Sequence, residues 1–479
     1  MESTNLTAGA VQSCLALLVF GCIAVVWKQR RSSTSSTPIN SPESGGSSAQ
    51  QAWPKEAEFT KFQRSYLTVY LLCTFSDWLK GPYVYALYEE YGFSKPQIAW
   101  LFVGGFLSSL VFGTFVGSLS DKFGRKHLCM VFCGIYAASA FTKLINSFVV
   151  LFFGRVLSGI ATSLLFTSFE SWMVSEHKAR QYPEHLLSNT FSKAILGNGA
   201  VAIAAGLVAQ TMANSFGYVA PFLTAVPCLG LAAALMIPWN ENYGNQNIHV
   251  RETLVRGWEA IMRERKLQYL GLCQALFEGC MYVWVFYWTP AVRVLDSDAI
   301  PFGLVFACFM AALMIGGMLT DLFPVDKLVT AMHCACIVAT AAAALFFDNK
   351  LFVFGMFTIF EGLVGIYFAG HGTLRSMHME ESTRSSVMNI FRVPLNMFVI
   401  VMLQVSMTPR HALLLLTVVH MLSLGCLVMF FGSVRGGSSS AAGGRGVKQQ
   451  QLQSSSEGVP LSVSTHSSND SFSNKQSRD

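Results

Sequence analysis

The chain has 479 residues, of which 52% are apolar and only 13% charged, against about 25% charged in an ordinary soluble domain. That balance excludes a soluble globular enzyme and implies an all-α polytopic membrane protein, for which 38 Phe, 39 Gly and 20 Met are suitable packing residues. The net charge of +6 carries no implication of nucleic-acid binding, because most cations fall in loops and tails where a cytoplasmic face is expected.

The first apolar run spans residues 6–27 and is followed at once by Lys28, Arg30 and Arg31. A cleaved leader carries its charge before the apolar run, so this order predicts a retained extra helix (segment 1–31) with its N-terminus outside. Asn5-Leu-Thr7 then becomes a possible glycosylation acceptor. Residues 32–61 form a Ser/Pro-rich flexible linker. Six apolar spans follow near 66–88, 97–119, 128–146, 149–173, 190–212 and 218–238, within a first bundle over 62–239. Each is long enough to cross about 30 Å of hydrocarbon. A basic stretch at 240–266 reads as a cytoplasmic central loop. Six more spans near 267–290, 300–322, 327–347, 350–373, 386–407 and 411–432 make a second bundle over 267–435, and the Ser/Gly/Gln-rich tail 436–479 is expected to be disordered. With the linker inside, the loops near 121–127, 176–185 and 240–266 are basic and cytoplasmic, as the charge bias of membrane topology requires.

The second and third main spans are joined by Gly117-Ser-Leu-Ser-Asp121-Lys-Phe-Gly124-Arg125-Lys126. Gly117 would allow two helices to approach and Gly124 a tight turn, while Asp121 among Lys122, Arg125 and Lys126 can hold a neighbouring helix end by charge. About 200 residues later the pattern returns as Gly317-Met-Leu319-Thr-Asp321-Leu-Phe323, and Asp77 finds a counterpart in Glu278. This echo predicts two six-helix bundles related by pseudo-two-fold symmetry, with a cavity between them near the bilayer midplane.

Ionisable side chains inside the spans cost a few kcal/mol on insertion scales unless they face protein or water, so they are the candidate functional groups. Asp77 and Lys80 lie three apart and can pair, just before Gly81-Pro82, where proline interrupts the helix. They read as a coupling or gating pair, or else as a structural one. Gln274, Glu278 and Tyr282 form a polar stripe on the seventh main span, with Glu278 about 16 Å along it at 1.5 Å per residue. A carboxylate there is well placed to take and release a proton, or to serve as a hydrogen-bonded strut. Arg155 and Glu170 lie on the fourth span, Lys193 and Asn198 on the fifth, and Asn389, Arg392 and Asn396 on one face of the eleventh. Cations from both halves, flanked by amide donors, would suit a small dianion; Lys193 and Arg392 are also near enough to the cytoplasmic end to snorkel. His371 and Arg375 read as a cytoplasmic rim. The twelve Cys lie mostly in apolar segments, with no Cys-x-x-Cys pair and no cluster of His among them, so neither disulfides nor a zinc site is expected. Phosphate-binding, zinc-hydrolase and nucleophile-elbow motifs are missing from the sequence, which favours a gradient-driven carrier, without cofactor or obligate protein partner, over an enzyme.

The loop Gly117 to Lys126 resembles the signature loop of the major facilitator superfamily, in which it latches the two halves in one conformation. Ser76-Asp-Trp-Leu-Lys-Gly-Pro-Tyr83, Gly154-Arg-Val-Leu-Ser-Gly159, Ser168-Phe-Glu170-Ser-Trp172, Gln274-Ala-Leu-Phe-Glu278 with Trp288-Thr-Pro290, and Phe391-Arg392-Val-Pro394-Leu395 are similar to one branch, the molybdate-anion transporter family. The resemblance covers about Tyr66 to Phe431. It implies a major facilitator fold with one extra N-terminal helix, and uptake of molybdate across the plasma membrane by alternating access. A proton-coupled carrier of organic solutes, or a sensor using the linker and tail as a scaffold, are the alternatives.

Overall fold

A computed structural model describes residues 8–35, 56–244, 250–295 and 300–454. Among these, regular structure is helical: α1 (Ala8–Ser35), α2 (Glu56–Trp78), α3 (Val84–Glu90), α4 (Lys95–Phe123), α5 (Arg125–Phe141), α6 (Phe148–Ala179), α7 (Glu184–Phe216), α8 (Ala220–Met236), α9 (Val250–Arg263), α10 (Arg265–Leu295), α11 (Phe302–Leu319), α12 (Val325–Leu345), α13 (Lys350–His378), α14 (Glu381–Gln404) and α15 (Pro409–Ser454). Eleven helices among the described residues are long and apolar enough to cross a membrane. The two remaining expected crossings are the broken pair α2–α3 and the shorter apolar helix α8, which has Pro227 inside it. The acceptor at Asn5 and residues 36–55 of the linker fall outside the described residues.

Two differences from expectation concern the segments between and after the bundles. The central stretch is not wholly a loop: α9 forms there, with Ile261 buried and Trp258 exposed, and Gly257 lies against Ser386 of α14. At the C-terminus α15 continues through residues 436–454, where an unstructured tail was expected, and 455–479 lies outside the described residues. Met1–Phe430 is one compact unit and Phe431–Asp479 a second. All groups of the candidate site belong to the first.

Each half contains one crossing that only glycine permits. Where α4 meets α6, a Cβ on Gly159 would overlap the Gly105 carbonyl and Ser108 Oγ; where α11 meets α13, one on Gly316 would overlap the Gly362 carbonyl and one on Gly365 the Leu313 carbonyl. Small residues let backbones close up in this way where lipid supplies no hydrophobic drive. The correspondence of α4·α6 with α11·α13 is the repeat that the sequence echo anticipates.

The halves meet along α7·α11 and α4·α14. At the end opposite the Asp121 loop they are tied together by three polar links. Arg293 pairs with Glu89 at 2.8 Å, Lys95 Nζ donates to the Met407 carbonyl at 2.6 Å, and Gly303 N–H donates to Gln210 Oε1 at 2.9 Å. The extra helix α1 packs on α11, with Cys22 Sγ donating to the Ala311 carbonyl and Cys308 Sγ to the Val11 carbonyl, each at 3.5 Å.

Candidate transport site

In the first half the helix stops at Trp78, and a 3-10 turn over Gly81–Tyr83 carries the chain into α3, so Pro82 breaks the helix as expected. The break aims Asp77 and Lys80 at α5. They do not form the expected ion pair: Tyr136 stands between them, donating its hydroxyl to Asp77 and offering its ring face to Lys80. Lys80 is 6% exposed and its Nζ has no hydrogen-bond partner. Arg155 donates through Nε to the Leu101 carbonyl at 3.2 Å and lies over Phe102, in a space that a Cβ on Gly105 would fill.

Beside this group stand two residues that sequence reasoning missed. Lys143, 3% exposed, has its Nζ 5.4 Å from the centre of the Tyr88 ring, and neither Lys143 Nζ nor Tyr88 Oη has a hydrogen-bond partner. In sequence, Lys143 ends a span and reads as one more snorkelling lysine. A Cβ on Gly154 would come 3.2 Å from its ammonium, so the conspicuous Gly154-Arg155 pair was the available signal.

Lys193 and Asn198 are committed elsewhere. Lys193 Nζ donates to Gln63 Oε1 at 2.7 Å, Gln63 donates to Thr190 Oγ1 at 2.7 Å, and Asn198 Oδ1 accepts from Trp78 Nε1 at 2.9 Å. These bonds tie α7 to α2. They correct the expectation of a free cation and amide from the fifth span.

The second half assembles the α10 stripe with α13. Tyr367 donates to Glu278 Oε1 at 2.9 Å, and Arg375 Nη1 donates to Gln274 Oε1 at 3.3 Å while standing 4.0 Å from Glu278. Tyr367 is fixed by stacking on Phe277 with ring centres 4.0 Å apart. Arg375 therefore belongs to the interior of the site and not to a cytoplasmic rim, and His371 is fully buried. Arg392 is exposed on α14, with Nη1 3.6 Å from the position of a Cβ on Gly113 of α4, so it reaches across to the first half. Its guanidinium and that of Arg375 both bear on the charge at Glu278. Asn396 is buried and spends its amide on the Arg392 carbonyl at 2.7 Å, so it braces the helix beside Pro394 instead of flanking an anion. Asn389 is half-buried on the same helix.

At the Asp121 loop, Arg125 holds Asp121 at 2.7 Å and donates to the Ser171 carbonyl on α6 at 3.3 Å. The Glu241 carboxylate accepts from Lys126 N–H and His127 N–H at the start of α5, a helix end where anions are favoured, and Lys126 Nζ caps the Ile237 and Trp239 carbonyls. Gly124 has φ +98°, so the tight turn requires glycine. Gly117 plays no comparable part, since a Cβ there would meet nothing within 4 Å. Glu170 is exposed on a cavity of about 650 Å³ that Arg125, Ser171, Lys178 and Tyr243 also line. These contacts of the loop join parts of the first half and the start of the central segment.

One cluster overturns the expectation that no His clusters with the Cys residues. Cys273, His333 and His371, from α10, α12 and α13, place one ligand-type atom each within 4.8 Å of one another. His333 Nδ1 pairs with the Val329 carbonyl at 2.9 Å, leaving Nε2 at 3.5 Å from Cys273 Sγ. Sequence separation concealed it.

Residues 42–364 match a major facilitator family model described as sugar transporters, 12 TM. The chain is 36% identical over 404 residues to a molybdate-anion transporter of Xenopus tropicalis, covering 79% of this chain and 88% of the relative. Against the molybdate-anion transporter of Takifugu rubripes it is 36% identical over 377 residues, covering 71% and 78%. The chain belongs to the molybdate-anion transporter family of major facilitators. Among solved structures, a nucleoside transporter aligns with TM-score 0.63 at 13% identity, over 78% of this chain and 99% of that one. A D-xylose–proton symporter aligns with TM-score 0.61 at 11% identity, over 78% and 97%. These two alignments establish the major facilitator fold, and the sequence relatives establish the branch.

Proposed function

We propose that the chain is a secondary active transporter that takes up molybdate, a tetrahedral dianion, across the plasma membrane by alternating access between its halves. The observation that carries this reading is the 36% identity to molybdate-anion transporters over 88% of a relative's length. The second-half constellation is chemically suited to it. Arg392 and Arg375 against an ionised Glu278 leave one net positive charge, and a proton on Glu278 leaves two. Protonation would therefore strengthen the hold on a dianion, and the anion would favour the protonated carboxyl in return, which is the reciprocity a symporter needs. With the basic loops placed in the cytoplasm, the end tied by Glu89–Arg293 is the outer one, and this conformation is closed to the outside.

The test is uptake of labelled molybdate at nanomolar concentration into liposomes holding the purified protein, with excess sulfate and an imposed pH gradient as variables. Saturable uptake that survives sulfate and rises with inward proton flow is the expected result. No uptake under either gradient by folded protein overturns the reading. A carrier of organic solutes is favoured by the description of the matching family as sugar transporters; competition by sugars but not by tungstate would select it.

A further inference from the structure

We propose that Lys80, Lys143, Arg155 and Tyr88 form a separate oxyanion-binding subsite inside the first half, distinct from the constellation around Glu278 and Arg392. The proposal rests on the oxyanion-transport reading and names a place where that substrate class is held.

The argument starts from unmet hydrogen-bonding capacity. Lys80 Nζ, Lys143 Nζ and Tyr88 Oη are buried donors without an acceptor, and each group of that kind in an interior calls for an explanation. Here Lys143 and Tyr88 lie together, and Lys80 stands over Tyr136 in the neighbouring group at the helix break. Lys143 faces the Tyr88 ring, and Lys143 and Arg155 both bear on the charge at Lys80. No carboxylate hydrogen-bonds these donors: Asp77 accepts from Tyr136, and Glu89 pairs with Arg293 of the other half. Counted by formal charge, Lys80, Lys143 and Arg155 against the single carboxylate of Asp77 leave +2. A tetrahedral dianion supplies what is missing, two negative charges and four acceptor oxygens directed outward from one centre. A carboxylic acid or a sugar supplies neither the charge nor the geometry.

Its position also fits capture. Lys143 directly precedes the exposed residues Leu144 and Ile145, and its carbonyl is held by the Tyr91 hydroxyl at the same end of the molecule. Lys80 lies at the break between α2 and α3. An anion arriving at that end meets Lys143 first, and holding it against Lys80 would fix the broken segment.

The experiment uses the full-length protein in lipid nanodiscs and liposomes, comparing wild type with Lys143→Gln, Lys143→Arg and Tyr88→Phe. Molybdate-induced thermal stabilisation and the KM of molybdate uptake are read, with sodium chloride at matched ionic strength as control. The expected result is a KM raised about tenfold or more in Lys143→Gln, as for loss of a charge-assisted hydrogen bond. Lys143→Arg should restore most of it, and Tyr88→Phe should raise KM about fivefold. Tyr88→Phe removes one hydroxyl and keeps the ring, so it remains informative if the lysine variants fail to fold. Unchanged KM and unchanged stabilisation in folded Lys143→Gln or Tyr88→Phe protein overturns the subsite while leaving transport intact. Wild-type protein that does not transport molybdate, yet loses molybdate stabilisation on Lys143→Gln, refutes the transport reading and keeps the subsite. Equal stabilisation by chloride refutes the dianion assignment.

Discussion

Gly206 on α7 is the place where a single methyl group should unlock the outer end. A Cβ there would stand 2.7 Å from the Gly303 carbonyl oxygen and 3.1 Å from Ala307 Cβ, and both of those atoms belong to α11. Ordinary contact begins at 3.4 Å, so in Gly206→Ala the two helices must separate by roughly 0.7 Å. The same movement strains the Gly303–Gln210 hydrogen bond just beyond the crossing. Overpacking of this kind costs about 1–3 kcal/mol. If the penalty falls on the closed arrangement alone, the ratio of open to closed molecules rises about 5- to 150-fold. The assay is the rate at which a membrane-impermeant maleimide modifies a cysteine placed at Phe93, a residue lining the outer cavity of about 320 Å³, after the exposed Cys334 is replaced by Ser. Gly206→Ala should raise that rate at least fivefold and lower turnover in uptake, since return to the closed state becomes limiting. An unchanged labelling rate in folded protein refutes the claim that this glycine crossing holds the outer end shut.

Glu278→Gln should keep molybdate binding, because the two guanidiniums retain their net positive charge, and should abolish stimulation of uptake by an inward proton gradient; persistent stimulation would move the coupling role to Asp77. Arg392→Ala should reduce uptake at subsaturating molybdate by about tenfold or more. Asn396→Ala, by contrast, should lower the unfolding temperature with little change in KM, because its amide bonds the backbone. Gly124→Ala should destabilise by about 1–3 kcal/mol through its left-handed backbone, and further through collision with the Glu241 carboxylate 2.6 Å from the new Cβ; the unfolding midpoint in detergent checks it. Gly117→Ala in the same loop should leave that midpoint unchanged, since no atom lies within 4 Å of the new methyl.

How far the sequence could be read follows from which forces are local. Apolar spans, a proline break and a left-handed turn are set by residues within one or two helical turns, and so the crossings, the interruption at Pro82 and the role of Gly124 were all legible. Which helices touch is not local. Helical periodicity places Lys193 on a face but gives no hint of Gln63 across the gap, and Asp77 three residues from Lys80 implies pairing unless Tyr136 of another helix is known to intervene. His371 shows the same limit from the other side. A histidine four residues before an arginine near a span end resembles an interfacial residue, yet α13 runs on to His378, so the ring lies deep against Tyr367 at 4.3 Å. The resulting asymmetry bears on function. Arg155, Glu278 and Arg392 stand out in sequence because a charge inside an apolar span is conspicuous, whereas Lys143 and Tyr88 become informative only when the fold shows that both lack a partner. A charge can be satisfied by a neighbour the sequence does not reveal, as Lys193 is by Gln63, so buried donors grouped without an acceptor, as Lys143 and Tyr88 are, say more about where an anion would sit than charged residues as such.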